Sequence, residues 1–296
     1  MNQRAWTVML GKSLKERILK SVSDLPPMPR ILHKAQRILG SPDGSLKALG
    51  ELIESDPALA VKVLRLANSA YYRRFEKVAS VHEAAVVLGM RVLGELVTVA
   101  CSHEVLGCSL AGYGLEADAL WRHSLCVAVA SRIIAQRWEP ASAEEAFSAG
   151  LIHDAGKLIL DPYVAERKEA FATFLKDGQT SFIEAEKEIL GFDHAEIAAK
   201  VCEKWHFPKS ISKPIRYHHN PGHFGSVALA YIVHGADQMA IWIGMDTDEI
   251  TLENGLSAFE KMGIGVDEIE PMMEQVSGCV EGIVDKMCGT GAGEMI

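Results

Sequence analysis

The sequence contains few cysteines, little positive charge and no long uncharged apolar run, and each shortage excludes a class of protein. Its six cysteines form no CxxC pair, which argues against a disulfide-stapled domain and favours reduced thiols. A net charge of −9 opposes a nucleic-acid surface, because phosphate binding needs a basic field. The N-terminus lacks a secretion signal, and the best candidate for a membrane span, Val227 to Met245, contains His234 and Asp237. These absences predict a soluble cytoplasmic protein.

Helical periodicity runs through almost the whole chain, and we find no convincing strand alternation. Apolar residues recur at helical spacing in Ile31 to Leu39. Asp56 and Pro57 suit the cap and first turn of a helix, and Gly191 suits the end of a helix over Phe182 to Leu190. With 48% apolar residues available for a core, the pattern predicts an all-α fold.

The predicted helices fall into three segments. Residues 1–106 form an N-terminal helical half, residues 115–245 form a helical core, and residues 246–296 form a C-terminal helical extension. The polar, glycine-bearing stretch Gly107 to Gly114 is the expected linker. The glycine-rich tail from Gly289 to Ile296 is expected to fray.

Ligand-type side chains stand where the helical pattern turns them inward. His153 and Asp154 follow the apolar stretch from Ala146 to Ile152, and charged groups rarely leave water unless they are paired or coordinate a cation. His194 shares a stripe with apolar residues, as does Asp237. The candidate metal ligands are His123, His153, Asp154, His194, His218, His219 and Asp237.

A mixed set of imidazoles and carboxylates suits a divalent transition ion, namely iron, manganese, zinc or nickel, and the set is large enough for one or two ions. Helical bundles build such sites from facing helices. A metal there would lower the pKa of a bound water. Asp154 and Lys157 are the candidate catalytic residues, with Lys157 one turn beyond Asp154 and able to hold a phosphate.

Each of these residues also has a plainer interpretation. His123 could be a hydrogen-bonded core histidine, and His153 with Asp154 could be a buried ion pair or a helix cap. His194 could be a partly exposed residue near its helix cap, and Asp237 could pair with His234 alone. The metal hypothesis rests on how many ligand-type residues share inward positions.

The ordered series of histidines and aspartates resembles the HD superfamily of metal-dependent phosphohydrolases. Three N-terminal phrases narrow the resemblance to the HDOD (HD-related output) domain. They are Leu25-Pro26-Pro27-Met28-Pro29, the stretch from Asp56 to Tyr72, and the stretch from Ala84 to Gly94. The resemblance covers roughly residues 20 to 245. It implies an all-helical bacterial signalling module, in a family that often lacks the full set of HD ligands and has no established activity.

Two departures separate the chain from the HD-GYP branch, which hydrolyses cyclic dinucleotides. After His218 and His219 the sequence continues Asn220-Pro221-Gly222, without a Gly-Tyr-Pro signature. Ala119 stands four residues before His123, where that branch often has a glutamate ligand. We therefore do not predict cyclic-dinucleotide hydrolysis. The metal-site prediction is less affected, because its other candidate ligands are intact.

Three functions follow from the sequence, in order of preference. The first is a signalling domain that contacts other signalling proteins and carries a metal-binding HD core as a structural or ligand-sensing element. The second is a metal-dependent phosphohydrolase acting on a nucleotide or another phosphoester. The third, a nucleic-acid-binding regulator, depends only on the basic run Lys62, Arg65, Arg73, Arg74 and Lys77, and the acidic total opposes it. We expect neither nucleic acid nor membrane as a partner.

Overall fold

The chain folds into helices joined by short connections. The computed structural model describes residues 3–25, 29–73, 77–176, 178, 180–224, 228–244 and 252–288. Within those ranges no β-structure occurs beyond one bridge between Leu110 and Leu115, and the all-α prediction is confirmed. The helices are α1 (Gln3–Asp24), α2 (Arg30–Leu39), α3 (Leu46–Glu54), α4 (Pro57–Ala67), α5 (Val81–Leu106), α6 (Ala119–Trp138), α7 (Ala143–Ile152), α8 (Gly156–Ala165), α9 (Lys168–Phe174), α10 (Phe182–Leu190), α11 (His194–Lys204), α12 (Lys209–Arg216), α13 (Ala228–Trp242), α14 (Leu252–Lys261) and α15 (Val266–Cys288).

The chain divides into two compact units that are not continuous in sequence. Unit 1 contains residues 1–26 and 106–273, and unit 2 contains residues 27–105 and 274–296. Helix α1 belongs to the unit that contains the candidate metal ligands, where Ser21 Oγ lies 2.7 Å from the Tyr163 hydroxyl. The three-segment division stays a prediction.

Local sequence signals explain several helix boundaries. Asp56 accepts hydrogen bonds from the backbone N–H groups of Ala58 and Leu59 at the start of α4, with Pro57 in the first turn, as predicted. Asp193 caps α11 in the same way. Gly191 ends α10 in the left-handed conformation, with φ of 82°. The predicted frayed tail from Gly289 lies outside the described residues.

Helix α5 is interrupted in its first half. Gly89 has φ of 80° and ψ of 169°, a conformation that only glycine adopts readily. The sequence predicts two helices here, Val81 to Leu88 and Arg91 to Leu106, and the break agrees. By length and composition α5 is also the one described helix apolar enough to cross a membrane, with 61% of its most apolar window buried inside the protein. A helix buried in a protein core can have the same length and the same apolar composition.

The core of unit 1 is built around α6, which is buried along most of its length from Leu120 to Ala135. Helices α7 and α13 pack against it. Helix α8 crosses α11 so closely that a Cβ at Gly156 would lie 1.9 Å from the backbone oxygen of His194. A larger residue at Gly156 would therefore push apart two elements that carry candidate ligands.

Three features differ from what the sequence predicts. The segments 1–106 and 246–296 are predicted to be helical, but no individual helix is predicted over residues 3–24 or 252–261, where α1 and α14 lie. The sequence also predicts a helix that carries His218 and His219, whereas α12 continues through Pro214 and ends at Arg216. The two histidines consequently lie in the turn that follows.

Candidate metal centre

Five stretches of unit 1 bring the seven candidate ligands together. His123 comes from the first turns of α6, and Asp237 comes from the middle of α13. His153 and Asp154 lie at the junction of α7 and α8, and His194 is the first residue of α11. Helix junctions and helix starts leave backbone groups that need polar partners. His153, Asp154 and His194 lie at such positions, where a polar side chain can enter an apolar core without breaking a helix.

Asp154 lies at the centre of the cluster. Its Oδ1 is 3.2 Å from His194 Nε2, 3.4 Å from His153 Nε2 and 4.0 Å from His218 Nε2. Its Oδ2 is 3.7 Å from His123 Nε2. One carboxylate thus faces imidazole nitrogens from four separate segments.

Asp237 and His219 complete the cluster. Asp237 Oδ1 is 3.2 Å from His123 Nε2 and 3.6 Å from His153 Nε2. His219 Nε2 is 2.7 Å from His194 Nε2. The ligand atoms form overlapping groups in which all members lie within 4.8 Å of one another; they are Asp154–His194–His218–His219, His123–His153–Asp154 and His153–His218–Asp237. These groups could hold a metal ion.

Backbone carbonyls orient two of the imidazoles. His153 Nδ1 lies 2.8 Å from the Gly150 oxygen, and His218 Nδ1 lies 2.7 Å from the Ile215 oxygen. Because a carbonyl oxygen can only accept, each Nδ1 carries a proton and donates it. A ring that is protonated on Nδ1 alone has a free Nε2, which is the form of histidine that binds a metal.

Glu186 orients a third imidazole, and the sequence analysis did not identify it. Its side chain is fully buried, and its Oε2 accepts hydrogen bonds of 2.8 Å from both Nδ1–H and the backbone N–H of His194. Its Oε1 accepts a 2.5 Å hydrogen bond from the Tyr113 hydroxyl. The available signal was a carboxylate on the buried stripe of α10, between Ala185 and Leu190.

The two buried aspartates keep their negative charge. Burial raises the pKa of Asp154, but the charges of His153 and Lys157 outweigh it and hold that pKa well below its usual range. Burial also raises the pKa of Asp237, and hydrogen bonds with His123 and His153 lower it further than burial raises it. The centre therefore holds carboxylates whose charge favours a cation.

Two of the histidines are pushed toward opposite protonation states. Burial lowers the pKa of His194, but Glu186 and Asp154 outweigh it and raise that pKa well above its usual range. Burial together with the charge of His153 lowers the pKa of His218 to about 3. His218 is therefore a neutral donor at neutral pH.

The donor set fits a divalent transition metal. His218 Nε2 is buried and has no hydrogen-bond partner among the described residues, although it points toward Asp154. An unprotonated nitrogen there finds no donor in that part of the chain, and leaving such a group unpaired costs free energy. A cation at the cluster would satisfy it, and mixed imidazole and carboxylate ligands suit iron, manganese, zinc or nickel.

Lys157 is buried and lies on the Asp154 carboxylate. The Nζ–Oδ2 distance is 2.9 Å, and the residue is 4% exposed. Lys157 thus balances part of the charge of the cluster. Its predicted role of holding a phosphate stays a prediction, and in this structure its ammonium group is engaged within the centre.

A polar pocket of about 490 Å³ opens beside the cluster and shares His219 with it. Asn220, Tyr231 and Gln238 line it together with Lys187 and Lys261. Lys261 contacts the Tyr231 hydroxyl at 3.4 Å, and Lys187 lies 2.9 Å from Asp193 Oδ2. The pocket has the size of small-ligand sites, and His219 is the half-buried residue through which it meets the centre.

Sequence comparison places the chain in a family. Residues 25–221 match the model of the HDOD domain family, and the chain belongs to that family. It is 25% identical over 218 residues to an uncharacterized protein of Treponema pallidum (strain Nichols), a match that covers 73% of this chain and 41% of the relative. The chain therefore spans less than half the length of the curated relative that it matches.

Solved structures share the fold. An HDOD domain protein of unknown function from Geobacter sulfurreducens superposes with a TM-score of 0.76 at 22% identity, covering 94% of this chain and 98% of that one. A protein from Shewanella amazonensis SB2B, named as a candidate phosphohydrolase, gives 0.70 at 27% identity, covering 91% and 97%. A candidate signal transduction protein from Marinobacter aquaeolei VT8 gives 0.70 at 20% identity, covering 94% and 66%.

Proposed function

We propose that this chain is a signalling module that acts by contacting other proteins, and that its HD core holds one or two divalent transition-metal ions. His123, His153, Asp154 and Asp237 would hold one ion, and His194, His218 and His219 would hold or favour a second. Asp154 would be shared between them. The observation that carries the metal site is the convergence of these side chains around Asp154 in the core of unit 1, and the match to the HDOD family model supports the signalling role.

The metal would serve as a structural or ligand-sensing element. Several buried segments meet at the centre, so a bound ion would cross-link α6, α11 and α13. The polar pocket at His219 offers a route by which a small ligand could reach the centre. Lys187 and Lys261 give that pocket positive charge, which favours a phosphate-bearing ligand.

A metal-dependent phosphohydrolase is the second candidate function. The shared His219 is the specific observation that favours it, because a phosphoester in the pocket would lie beside the ligand cluster. The 27% identical Shewanella protein is named as a candidate phosphohydrolase, which supports the same idea. A bound divalent ion would supply charge stabilisation and a lowered pKa for water, while Lys187 and Lys261 would orient the phosphate. Lys157 would act from its contact with Asp154.

Turnover separates the two functions. Protein loaded anaerobically with Fe²⁺, Mn²⁺, Zn²⁺ or Ni²⁺ is incubated with p-nitrophenyl phosphate, bis(p-nitrophenyl) phosphate and a panel of nucleotides, beside the Asp154→Asn variant. A signalling module is expected to show no turnover beyond that of the variant. Turnover at ordinary enzyme rates, on the order of 1 s⁻¹ or faster, that disappears in Asp154→Asn would establish the hydrolase instead.

A further inference from the structure

Unit 2 contains a groove with a basic rim and an aliphatic floor. Four cationic residues line it, Arg65, Arg73, Lys77 and Lys286, and we call them its rim; the aliphatic lining residues Val61 and Leu64 we call its floor. Its volume is about 590 Å³. We refer to these six residues as the basic groove. In the sequence, the basic run from Lys62 to Lys77 is only a weak argument for nucleic-acid binding, and no local pattern indicates that Lys286 joins it.

The basic groove follows from the amphipathic pattern of α4 and from a close helix approach. Leu59, Val63 and Leu66 are buried on one side of α4, which leaves Val61 49% exposed on another. Gly282 of α15 lies close to Ala70, since a Cβ there would be 3.2 Å from the Ala70 side chain. Helix α15 therefore packs beside the turn after α4, and Lys286 joins the rim.

The rim concentrates positive charge in an acidic protein. The whole chain has a net charge of −9, yet the described lining of the basic groove includes four cationic side chains and no carboxylate. Arg65, Arg73 and Lys286 form no ion pair within the described part of the chain. A local field of this sign attracts acidic partners and rejects basic ones.

The aliphatic residues of the floor favour an acidic peptide over nucleic acid as the partner. Sites for single-stranded nucleic acid usually stack bases on aromatic rings, and the described lining of the groove contains no aromatic residue. Aliphatic contacts instead suit the apolar face of a peptide, and helix-in-groove docking combines such a face with polar contacts at the rim. We propose that the basic groove docks an acidic amphipathic segment of a partner protein. The inference rests on the protein-contact role proposed above and names the chemistry of the partner.

A designed probe tests the proposal. A fluorescein-labelled helical 18-residue peptide carries glutamates on one face and leucines on the other, and a matched peptide carries lysines in place of the glutamates. Fluorescence anisotropy at physiological salt measures binding to the full chain and to Arg65→Glu/Lys286→Glu. The control Arg30→Glu/Lys34→Glu makes the same charge change at exposed positions of α2, outside the groove. Val61→Ser tests the floor against Val86→Ser, which alters a valine that is 65% exposed elsewhere in unit 2.

The acidic peptide is expected to bind and the lysine peptide is not. The groove double variant should weaken binding about tenfold or more, because two attractive charges become repulsive, while the α2 control stays within about twofold. Equal weakening by both double variants, or equal binding of the two peptides, overturns the proposal. Groove-dependent binding of duplex DNA, or self-association abolished by the groove variant, overturns it in favour of a different occupant. The phosphoester turnover assay, which tests the signalling role, does not depend on peptide binding. A failure of the groove proposal can therefore be told apart from a failure of the signalling role.

Discussion

Glu186 holds His194 through two hydrogen bonds, one to the ring Nδ1–H and one to the backbone N–H, both 2.8 Å long. A single buried carboxylate thereby fixes the first residue of α11 and the direction of its imidazole. The Tyr113 hydroxyl holds the other oxygen of Glu186. This pairing matches the carboxylate–histidine support found behind metal ligands.

Glu186→Gln is expected to weaken metal binding while the protein stays folded. The amide keeps the shape of the side chain but removes the charge that supports the imidazole, and such changes behind a ligand typically cost about 10- to 100-fold in affinity. Competition with a chromogenic chelator measures the change. Glu188→Gln, an exposed position two residues away on α10, is the matched control and should keep the wild-type affinity. Equal affinities for the two variants would remove the supporting role of Glu186.

Asp154→Asn should destabilise metal-stripped protein because it leaves Lys157 buried without its partner. Removing one member of a buried pair costs about 3–5 kcal/mol, and the Lys157 Nζ lies 2.9 Å from Asp154 Oδ2. Urea denaturation in the presence of EDTA measures the free energy of unfolding. Asp154→Asn/Lys157→Met should recover a large part of the loss, since the uncompensated charge is gone. If the double variant were no more stable than Asp154→Asn, the buried ion pair would not explain the loss.

The candidate ligands of the metal centre could be predicted from the sequence, but the residues that hold those ligands in place could not. His153 and Asp154 sit beside an apolar run, and the positions of His194 and Asp237 on buried stripes indicate convergence. Glu186 and Tyr113 are 73 residues apart, and nothing local connects them to His194. Contacts of that kind depend on how helices cross, which periodicity does not encode.

The fold class was predictable for a related reason. Periodicity, caps at Asp56 and Asp193, and the break at Gly89 are local signals, and the structure shows all of them. The assignment of α1 to unit 1 depends on long-range packing against Tyr163 and its neighbours. Helix α12 runs through Pro214 and ends at Arg216, before the two histidines that the sequence predicts to lie on a helix.

Gly156→Ala should destabilise the protein, since the new Cβ would lie 1.9 Å from the His194 backbone oxygen. Forcing α8 away from α11 is expected to cost about 1–3 kcal/mol or more and to displace His194. Gly278→Ala on α15 is the opposite case, because a Cβ at that position would meet no atom within 4 Å. This substitution should increase the free energy of unfolding by up to about 1 kcal/mol, since alanine favours the helix more than glycine does. Thermal denaturation measures whether each variant is less or more stable than the wild-type protein. A neutral Gly156→Ala would contradict the close crossing.

Cysteine reactivity should follow burial. Burial and the charge of Asp237 raise the pKa of Cys126 to about 12, and burial with the charge of Glu203 raises the pKa of Cys202 to about 12. At pH 8 only about one molecule in ten thousand would carry either thiolate. Cys108 is exposed, so iodoacetamide should label it first in the native protein. Peptide mass spectrometry, with urea-unfolded protein as the control, reports the order, and native labelling of Cys126 as fast as that of Cys108 would refute it.

Metal content tests the centre most directly. Protein purified without chelator, and protein reconstituted anaerobically with each of the four ions, is analysed by inductively coupled plasma mass spectrometry beside Asp154→Asn and Glu188→Gln. We predict one or two ions of iron, manganese, zinc or nickel per chain in the wild-type protein and in Glu188→Gln, and a loss of most of that metal in folded Asp154→Asn. Wild-type protein that binds no more metal than Asp154→Asn in every preparation would contradict a metal centre built around Asp154.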